Sequence, residues 1–372
     1  MRNKIKTLLK RDPVAVIAVT AALLSMVLTP PDKTYIGYFD LKVLAILFCL
    51  MTAIAGLKST GVFAWAVRKL PDMVTDRRGF SLVMVNAAFF SSMLMTNDVA
   101  LLALVPLTIA ILGRDEKDLL IPVVVLETAA ANLGSMMTPI GNPQNLYIFS
   151  HYSMGIGDFF SLLWPYGLLS LLLLEALTLL CGSAPLSFSG RKECPRPAGG
   201  AKPYIFGALF VFCCLGVLRL VDYRICLAVT AAVTLIVDRR VLARIDWGLL
   251  LTFAAFFVFV GNISRLPAVE VWLSSALAGR ELLVSAAVSQ VISNVPAAVL
   301  LSGFTNNAGA LLLGVDIGGL GTPVASLASL ISFRIYCRES AGGRLRYMLV
   351  FTAVNILLLG LLLLLAALLG HC

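Results

Sequence analysis

Two short polar sequences stand inside long apolar runs, and both combine a hydroxyl side chain with asparagine. The first is Thr96-Asn97-Asp98 and the second is Ser293-Asn294-Val295. Amide and hydroxyl hydrogens can bind an anion, whereas the oxygens of the same groups can coordinate Na⁺. Interrupted hydrophobic segments in both halves of a chain are typical of transporter binding sites near the bilayer midplane. The two sequences therefore predict one site built from both halves.

Each polar sequence is followed by a glycine-containing segment that ends in Thr-Pro. Segment 132–139 matches segment 316–323 position by position. Asn142-Pro143 and Thr322-Pro323 each place a capping side chain before a proline, the order found at helix starts. We therefore expect two broken helices that restart at these prolines. With the two polar sequences, four helix N-termini and their partial positive charges would face one site that suits an anion.

Four carboxylates lie at apparent membrane depth, where acids are costly and commonly functional. Asp98 either takes up the coupling proton or only caps a helix start. Glu127 either faces a cavity or hydrogen-bonds to a neighbouring helix, and Glu175, near the cytoplasmic end, is expected to be structural. Asp316 aligns with Asn132, so the repeat predicts a role for it in the site.

The predicted site has two overlapping sets of residues. The predicted substrate-binding residues are Thr96, Asn97, Asp98, Asn142, Ser293, Asn294 and Thr322. The predicted ion-coupling residues are Asp98, Glu127, Asn132, Thr138, Gly141, Asp316 and Thr322, with possible Na⁺ ligands at Asn97, Thr138, Asn294 and Thr322. No nucleotide-binding, nucleophile or zinc motif occurs, so we expect no enzyme activity and no cofactor besides a coupling ion, H⁺ or Na⁺.

The composition places these residues in a membrane. The 372 residues are 59% hydrophobic and 13% charged, whereas soluble domains carry roughly 25% charged residues. The net charge of +9 does not indicate nucleic-acid binding, because most Lys and Arg fall in the N-terminus and in loops 67–79, 114–118, 183–203, 238–246 and 334–346. Such an excess marks the cytoplasmic side. We expect a multi-pass protein of a bacterial inner membrane, with a cytoplasmic N-terminus and a periplasmic C-terminus.

The apolar pattern predicts an all-α polytopic fold with two inverted-topology repeats. The run 80–113 would be ~50 Å long as one helix, against a bilayer core of ~30 Å. Since both of its ends are basic, a re-entrant hairpin is favoured. The predicted parts are a first repeat 1–182 (hairpin 80–113, broken helix 119–149), a cytoplasmic linker 183–203, a second repeat 204–372 (hairpin 281–304, broken helix 308–333), and surface helices 62–71 and 267–279.

The quoted motifs resemble the ion transporter superfamily, which includes divalent-anion/sodium symporters, citrate–metal carriers, arsenite efflux permeases and some sodium/proton antiporters. The similarity rests on Thr96-Asn97-Asp98, Thr138-Pro139-Ile140-Gly141-Asn142-Pro143-Gln144-Asn145 and Ser293-Asn294-Val295-Pro296. It implies substrate binding between the two hairpin tips, an elevator-type motion of a transport domain against a scaffold, and a possible homodimer. Symporters of the superfamily carry Ser-Asn-Thr at these tips. Asp98 and Val295 depart from that pattern, and Asn-Asp is more similar to the arsenite permease branch.

These observations predict a secondary active transporter for a small anion or oxyanion, a carboxylate or an inorganic ion, coupled to H⁺ or Na⁺. The expected partners are that substrate, membrane lipid and a second copy of the chain, with no nucleic acid. One alternative is a Na⁺/H⁺ antiporter that uses Asp98 and Asp316. Another is an arsenite or antimonite efflux permease, because neutral As(OH)₃ needs hydroxyl and amide partners. A non-transporting membrane scaffold would not need two inverted polar breaks.

Overall fold

The computed structural model describes residues 13–69, 74–113, 116–186, 200–339 and 342–371, and within them the chain is helical with no β-strand. The helices are α1 (Pro13–Leu28), α2 (Leu41–Ser59), α3 (Val62–Lys69), α4 (Arg77–Leu94), α5 (Asn97–Leu112), α6 (Lys117–Ser135), α7 (Pro143–His151), α8 (Ile156–Thr178), α9 (Lys202–Val217), α10 (Tyr223–Asp238), α11 (Trp247–Ile263), α12 (Pro267–Leu277), α13 (Glu281–Ile292), α14 (Asn294–Ser302), α15 (Ala308–Ile317), α16 (Leu327–Glu339) and α17 (Arg344–Leu368).

Several of these helices are long and apolar enough to cross a membrane. Among the described residues four qualify by length and composition: Leu41–Ser59, Asp118–Ser135, Ile156–Cys181 and Arg344–Leu368. Counting two bent helix pairs as one span each raises the number to six. Large side chains such as Leu180, 81% exposed, and Ile236, 83% exposed, lie on the outer surface, where lipid tails would cover them. The protein is an all-α, multi-pass membrane protein.

One group of helices is built around α2. Helices α9 and α10 pack against α2, and α1 packs along α11. Carboxylates begin two of these helices: Asp40 accepts the N–H of Val43 at 3.0 Å, and Asp246 accepts that of Leu249 at 3.0 Å. These caps satisfy backbone donors that a helix start leaves free.

The second group, the hairpin group, contains two helical hairpins, α4–α5 and α13–α14, packed on α6 and α15 respectively. Glycines make both contacts close. A Cβ on Gly134 of α6 would lie 2.1 Å from the Phe89 carbonyl oxygen, and one on Gly318 would lie 2.7 Å from the Ala286 Cα. Because the two glycines occupy matching positions in the aligned segments, the two halves use the same packing solution.

Helices α7 and α14 join the two groups. Helix α7 packs against α2 and α14, and α14 also packs against α11. At the end of α7, Arg219 donates to the carbonyls of Phe149, Ser153 and Met154 at 2.8, 3.0 and 3.1 Å. A cation at a helix C-terminus is electrostatically favourable, so Arg219 fastens α7 to the α9–α10 loop.

The predicted segments can be placed on this fold. Helices α4 and α5 occupy the first predicted hairpin, and α13 and α14 the second, whereas re-entry into a bilayer and the division into inverted repeats stay predictions. Helices α3 and α12 correspond to the two predicted surface helices. The N-terminal residues 1–12, positions 70–71 at the end of the first surface helix and most of the linker, 187–199, lie outside the described residues.

The predicted helix start at Thr322-Pro323 is wrong, because α16 begins four residues later at Leu327. The side chain of Gln290 binds the segment just before Pro323 to the second hairpin. Its Nε2 donates to the carbonyls of Gly318 and Leu320 at 2.7 and 2.9 Å, and its Oε1 accepts the Thr322 N–H at 2.9 Å. A helix that began at Pro323 would need the Ala325 carbonyl for the Ser329 N–H, but this carbonyl accepts the Asn294 N–H of the hairpin tip at 2.9 Å.

Candidate functional site

The two hairpin tips contact the two helix breaks through equivalent backbone hydrogen bonds. The Asn97 N–H donates to the Gly141 carbonyl at 3.3 Å, and the Asn294 N–H donates to the Ala325 carbonyl at 2.9 Å. The alignment of segment 132–139 with 316–323 pairs Gly141 with Ala325 as well. Each tip is therefore held against the break of its own half.

The predicted Na⁺ ligands Thr138 and Thr322 reinforce the same contacts. The Thr138 hydroxyl donates to the Met93 carbonyl at 2.6 Å, and that of Thr322 to the Gln290 carbonyl at 3.0 Å. Both acceptors lie four residues before the tip asparagine. Thr138 is half-buried and Thr322 is exposed. The hydroxyl hydrogens thus join each helix break to the hairpin of its own half, while the lone pairs of the hydroxyl oxygens stay available to a cation.

The side-chain oxygen of each tip asparagine binds the backbone N–H of the next residue. Asn97 Oδ1 accepts the Asp98 N–H at 3.0 Å, and Asn294 Oδ1 accepts the Val295 N–H at 2.9 Å. Both side chains are buried. The Nδ2 group of Asn97 donates to Asn132 Oδ1 at 2.9 Å.

Asn132 links the first half of the chain to the second. Besides the bond from Asn97, its Oδ1 accepts a bond from the Ser326 hydroxyl at 2.9 Å, and its Nδ2 donates to Ser329 Oγ at 3.2 Å. The two serines lie just before and in the first turn of α16. Asn132, near the end of α6, is thus bound at the restart of the other half's broken helix.

Asp316, in the second half of the chain, makes the corresponding contact to the helix break of the first half. Its Oδ1 accepts bonds from Asn142 Nδ2 at 3.3 Å and Gln144 Nε2 at 3.2 Å, and the Asn145 side chain lies close to the carboxylate. The carboxylate is buried, and Oδ2 has no hydrogen-bond partner among the described residues. Since the alignment pairs Asn132 with Asp316 and Asn142 with Ser326, the two cross-contacts are equivalent positions of the two halves.

Asn145, which closes the quoted motif but is not among the predicted site residues, organises the first break. Its N–H bonds to Asn142 Oδ1 at 2.8 Å, the predicted cap, and its Nδ2 reaches the carbonyls of Met136 and Thr138 at 3.0 and 3.2 Å. Met136 corresponds to Leu320, whose carbonyl Gln290 binds in the other half. Equivalent carbonyls in the two halves thus accept a side-chain amide, from Asn145 after the break in the first half and from Gln290 in the hairpin in the second.

Three predicted site residues lie at the edges of this cluster. Thr96 precedes α5 and makes no side-chain cap, and the Ser293 hydroxyl donates to the Ala325 carbonyl at 3.3 Å. Asp98 is half-buried with Oδ1 unpartnered among the described residues, and the charges acting on it are Asp246 and Lys58.

Glu127 lies away from the cluster, one to two turns before Asn132 on α6. It is fully buried and accepts a hydrogen bond from the Thr108 hydroxyl of α5, the neighbouring-helix contact that was one of the two predicted alternatives. Its Oε2 has no partner within the described ranges. Glu175 accepts a bond from Asn86 at 2.5 Å and joins α8 to α4, a structural contact.

The site therefore consists of four helix N-termini around a buried polar cluster. Helix α5 packs against α16 and α7 against α14, so the helices that begin at the tips and breaks contact each other across the two halves. Within the described residues no three His, Cys, Asp or Glu side chains form a metal-binding group. The groups present are amides, hydroxyls, carbonyls and single carboxylates, which suit oxyanions and Na⁺ and not transition metals.

Comparison with known proteins gives consistent matches. The profile of the family described as "Citrate transporter" matches residues 3–309, which include both hairpins and the first break. The chain is 32% identical over 316 residues to "Inner membrane protein YbiR" of Escherichia coli K12, covering 82% of each chain. It is 31% identical over 322 residues to "Uncharacterized transporter MJ0456" of Methanocaldococcus jannaschii, covering 84% of this chain and 85% of that one.

Proposed function

The chain belongs to the citrate transporter family, and we propose that this membrane transporter moves a small anion or oxyanion by secondary active transport coupled to H⁺ or Na⁺. The observation that carries the proposal is the pair of equivalent cross-contacts, Asn132 with Ser326 and Asp316 with Asn142. They bring the interrupted helices of both halves to one buried place. A membrane protein that only spans and packs has no need for this arrangement.

In this proposal the substrate binds between the two tips. Its proposed contacts are Thr96, Asn97, Asp98, Asn142, Ser293, Asn294 and Thr322, which belong to the hairpin tips and the helix breaks. Oriented N–H groups and helix dipoles stabilise negative charge at such ends. This favours an anion over an organic cation.

The coupling ion is proposed to bind at the helix breaks. Asp316 Oδ2 and Asn145 Oδ1 are buried oxygens without hydrogen-bond partners among the described residues. An unmet buried acceptor is costly, and a carboxylate in this position is stabilised by Na⁺ or H⁺. The further proposed contributors are Asn97, Asp98, Asn132, Thr138, Gly141, Asn294 and Thr322, with Glu127 as a separate buried acid.

A second candidate is a Na⁺/H⁺ antiporter. It is favoured by the unpartnered oxygens of Asp98 and Asp316, which could alternate between the two cations. An arsenite permease would use the amides and hydroxyls of the same cluster for an uncharged substrate. The three candidates differ in which ligand stabilises the protein.

For the motion we propose that the hairpin group moves as an elevator against the group around α2, with α7 and α14 at the sliding contact. The distribution of Lys and Arg supports a cytoplasmic N-terminus and a periplasmic C-terminus in a bacterial inner membrane. A homodimer formed through the α2 group would keep that group stationary.

The test is the thermal stability of the purified protein with citrate, succinate, sulfate, phosphate or arsenite, each with and without Na⁺. A ligand that binds only the folded state stabilises it by RT ln(1 + [L]/Kd). Asn294→Ala and Asp316→Asn should lose the shift. The matched control is Asn355→Ala, because among the described residues the Asn355 amide donates only to the Phe351 carbonyl of its own helix, at 2.9 Å.

Stabilisation by one anion, increased by Na⁺ and absent from the two site variants, supports the symporter. A shift with Na⁺ alone, unaffected by any anion, supports the antiporter and rejects the anion. A Na⁺-independent shift with arsenite supports the permease. If the wild type and Asn294→Ala respond equally to the ligand that binds, the site assignment is wrong.

A further inference from the structure

A lateral cleft lies between α6, α8 and α17, and its lining contains none of the residues of the polar cluster. Its volume is about 300 Å³, at the lower end of the range for ligand pockets. The walls are mainly apolar, and they include Leu119, Pro122, Leu126, Leu177, Val350 and Val354. At the rim Leu180 is 81% exposed, so the cleft is continuous with the lipid-facing surface.

Among the side chains that the structure describes at the mouth of the cleft, arginines outnumber acids. Arg77 and Asp118 line the cleft, and each is paired, Arg77 with Glu116 and Asp118 with Arg346 at 2.9 Å. Arg78, next to Arg77, makes within the described ranges one long contact, 3.5 Å from Nη2 to the Leu179 carbonyl beside the cleft residue Leu180. The Nε atoms of Arg77 and Arg78 are both buried without a hydrogen-bond partner among the described residues. Buried donors without acceptors are costly, so this place favours an added anion.

We propose that the cleft binds one anionic phospholipid, with its phosphate at Arg77 and Arg78 and an acyl chain along α6, α8 and α17. Guanidinium groups bind phosphate through charge-assisted hydrogen bonds. The rim residues border loops 67–79, 114–118 and 334–346, which the charge distribution assigns to the cytoplasmic face. Basic pockets between helices on that face are typical sites for anionic headgroups. The inference uses the proposed topology and does not depend on the transported substrate.

The position of the cleft gives the lipid a mechanical effect. Arg77 and Arg78 begin α4, the first helix of the first hairpin, and the cleft wall includes α6, which carries Asn132. A bound lipid would join these helices to α8 and α17. It is therefore expected to raise the stability of the hairpin group.

The test is thermal unfolding of the purified full-length protein in nanodiscs of phosphatidylcholine with added phosphatidylglycerol. Arg78→Gln removes the headgroup contact, and Val354→Phe fills the cleft. Their matched controls are Arg338→Gln, an exposed arginine at the end of α16, and Leu364→Phe, an exposed position on α17. Each variant is compared with its own melting temperature in pure phosphatidylcholine, so a change in baseline stability does not affect the result.

The expected result is stabilisation of the wild type and both controls by phosphatidylglycerol, with less than half of that shift in Arg78→Gln and in Val354→Phe. Full shifts in both cleft variants would place the anionic-lipid effect elsewhere and overturn the proposal. Equal stabilisation by inorganic phosphate would assign the arginines to a free anion instead. A cleft variant that dissociates a dimer in light scattering would show that a second copy covers the cleft.

Discussion

Replacing Gln290 with methionine should loosen the second helix break while leaving the rest of the fold in place. The Gln290 side chain makes three bonds to this break: to the carbonyls of Gly318 and Leu320, and from the Thr322 N–H. Methionine occupies the equivalent position, Met93, in the first hairpin, so the replacement is similar in length and fits a helix of this kind. Only the amide chemistry is removed.

The magnitude follows from the number of bonds. Side-chain hydrogen bonds in membrane proteins average about 0.6 kcal/mol, and buried neutral bonds in soluble proteins about 1 kcal/mol. Three such bonds therefore contribute about 2–3 kcal/mol to the free energy that holds segment 318–322 against the second hairpin. At about 1.4 kcal/mol per tenfold change, the amides of 318–326 should exchange roughly 30-fold faster or more.

Hydrogen exchange followed by mass spectrometry measures this directly, because peptides that cover 318–326 report local opening. The matched control is Asn355→Leu, which removes a buried amide whose one hydrogen bond to the described residues lies within α17. It should leave exchange in 318–326 unchanged. If Gln290→Met exchanges like the wild type there, Gln290 does not stabilise the break, and the role assigned to its three hydrogen bonds is wrong.

Three further predictions concern thermal unfolding of the purified protein. Gly134→Ala should cost about 1–3 kcal/mol, because its Cβ would overlap a carbonyl of α4, whereas Gly360→Ala, which meets open space, should be neutral or stabilising. Thr108→Val should cost about 1–3 kcal/mol by leaving the buried Glu127 carboxylate without its donor, and adding Glu127→Gln should recover part of the loss. Arg219→Gln should cost about 1.5–3 kcal/mol by releasing the end of α7, and an unchanged melting temperature would show that this clamp is unimportant.

Features determined by neighbouring residues could be predicted from the sequence. The Asn142 cap of α7 was predictable because a capping side chain stood before a proline in an otherwise apolar run, and both are within one turn of the helix start. The interruptions before Asn97 and Asn294 were visible because polar residues stood where an uninterrupted span would be apolar. The family resemblance rested on these same short motifs.

Features that depend on distant partners could not be predicted in this way. Thr322-Pro323 has the local pattern of a helix start, but the Asn294 N–H, from the tip of the second hairpin, binds the Ala325 carbonyl that such a helix would need. Asn132 is hydrogen-bonded to Ser326, 194 residues away, and no periodic pattern in the sequence predicts such a pairing. One signal was available: continuing the alignment beyond position 323 pairs Asn142 with Ser326 and Asn145 with Ser329. That extension would have identified both serines.

The asymmetry between the halves bears on how the proposed site treats charge. The first tip carries Asp98 where the second has Val295, whereas the first break carries Asn132 where the second has Asp316. Each half thus contributes one carboxylate, on the tip in one and on the break in the other. Two ionised acids near one cluster would repel an anion and oppose the attraction of the four helix N-termini. In the proposed mechanism a cation or proton at Asp316 must therefore bind before or with the anion, which makes the coupling obligatory.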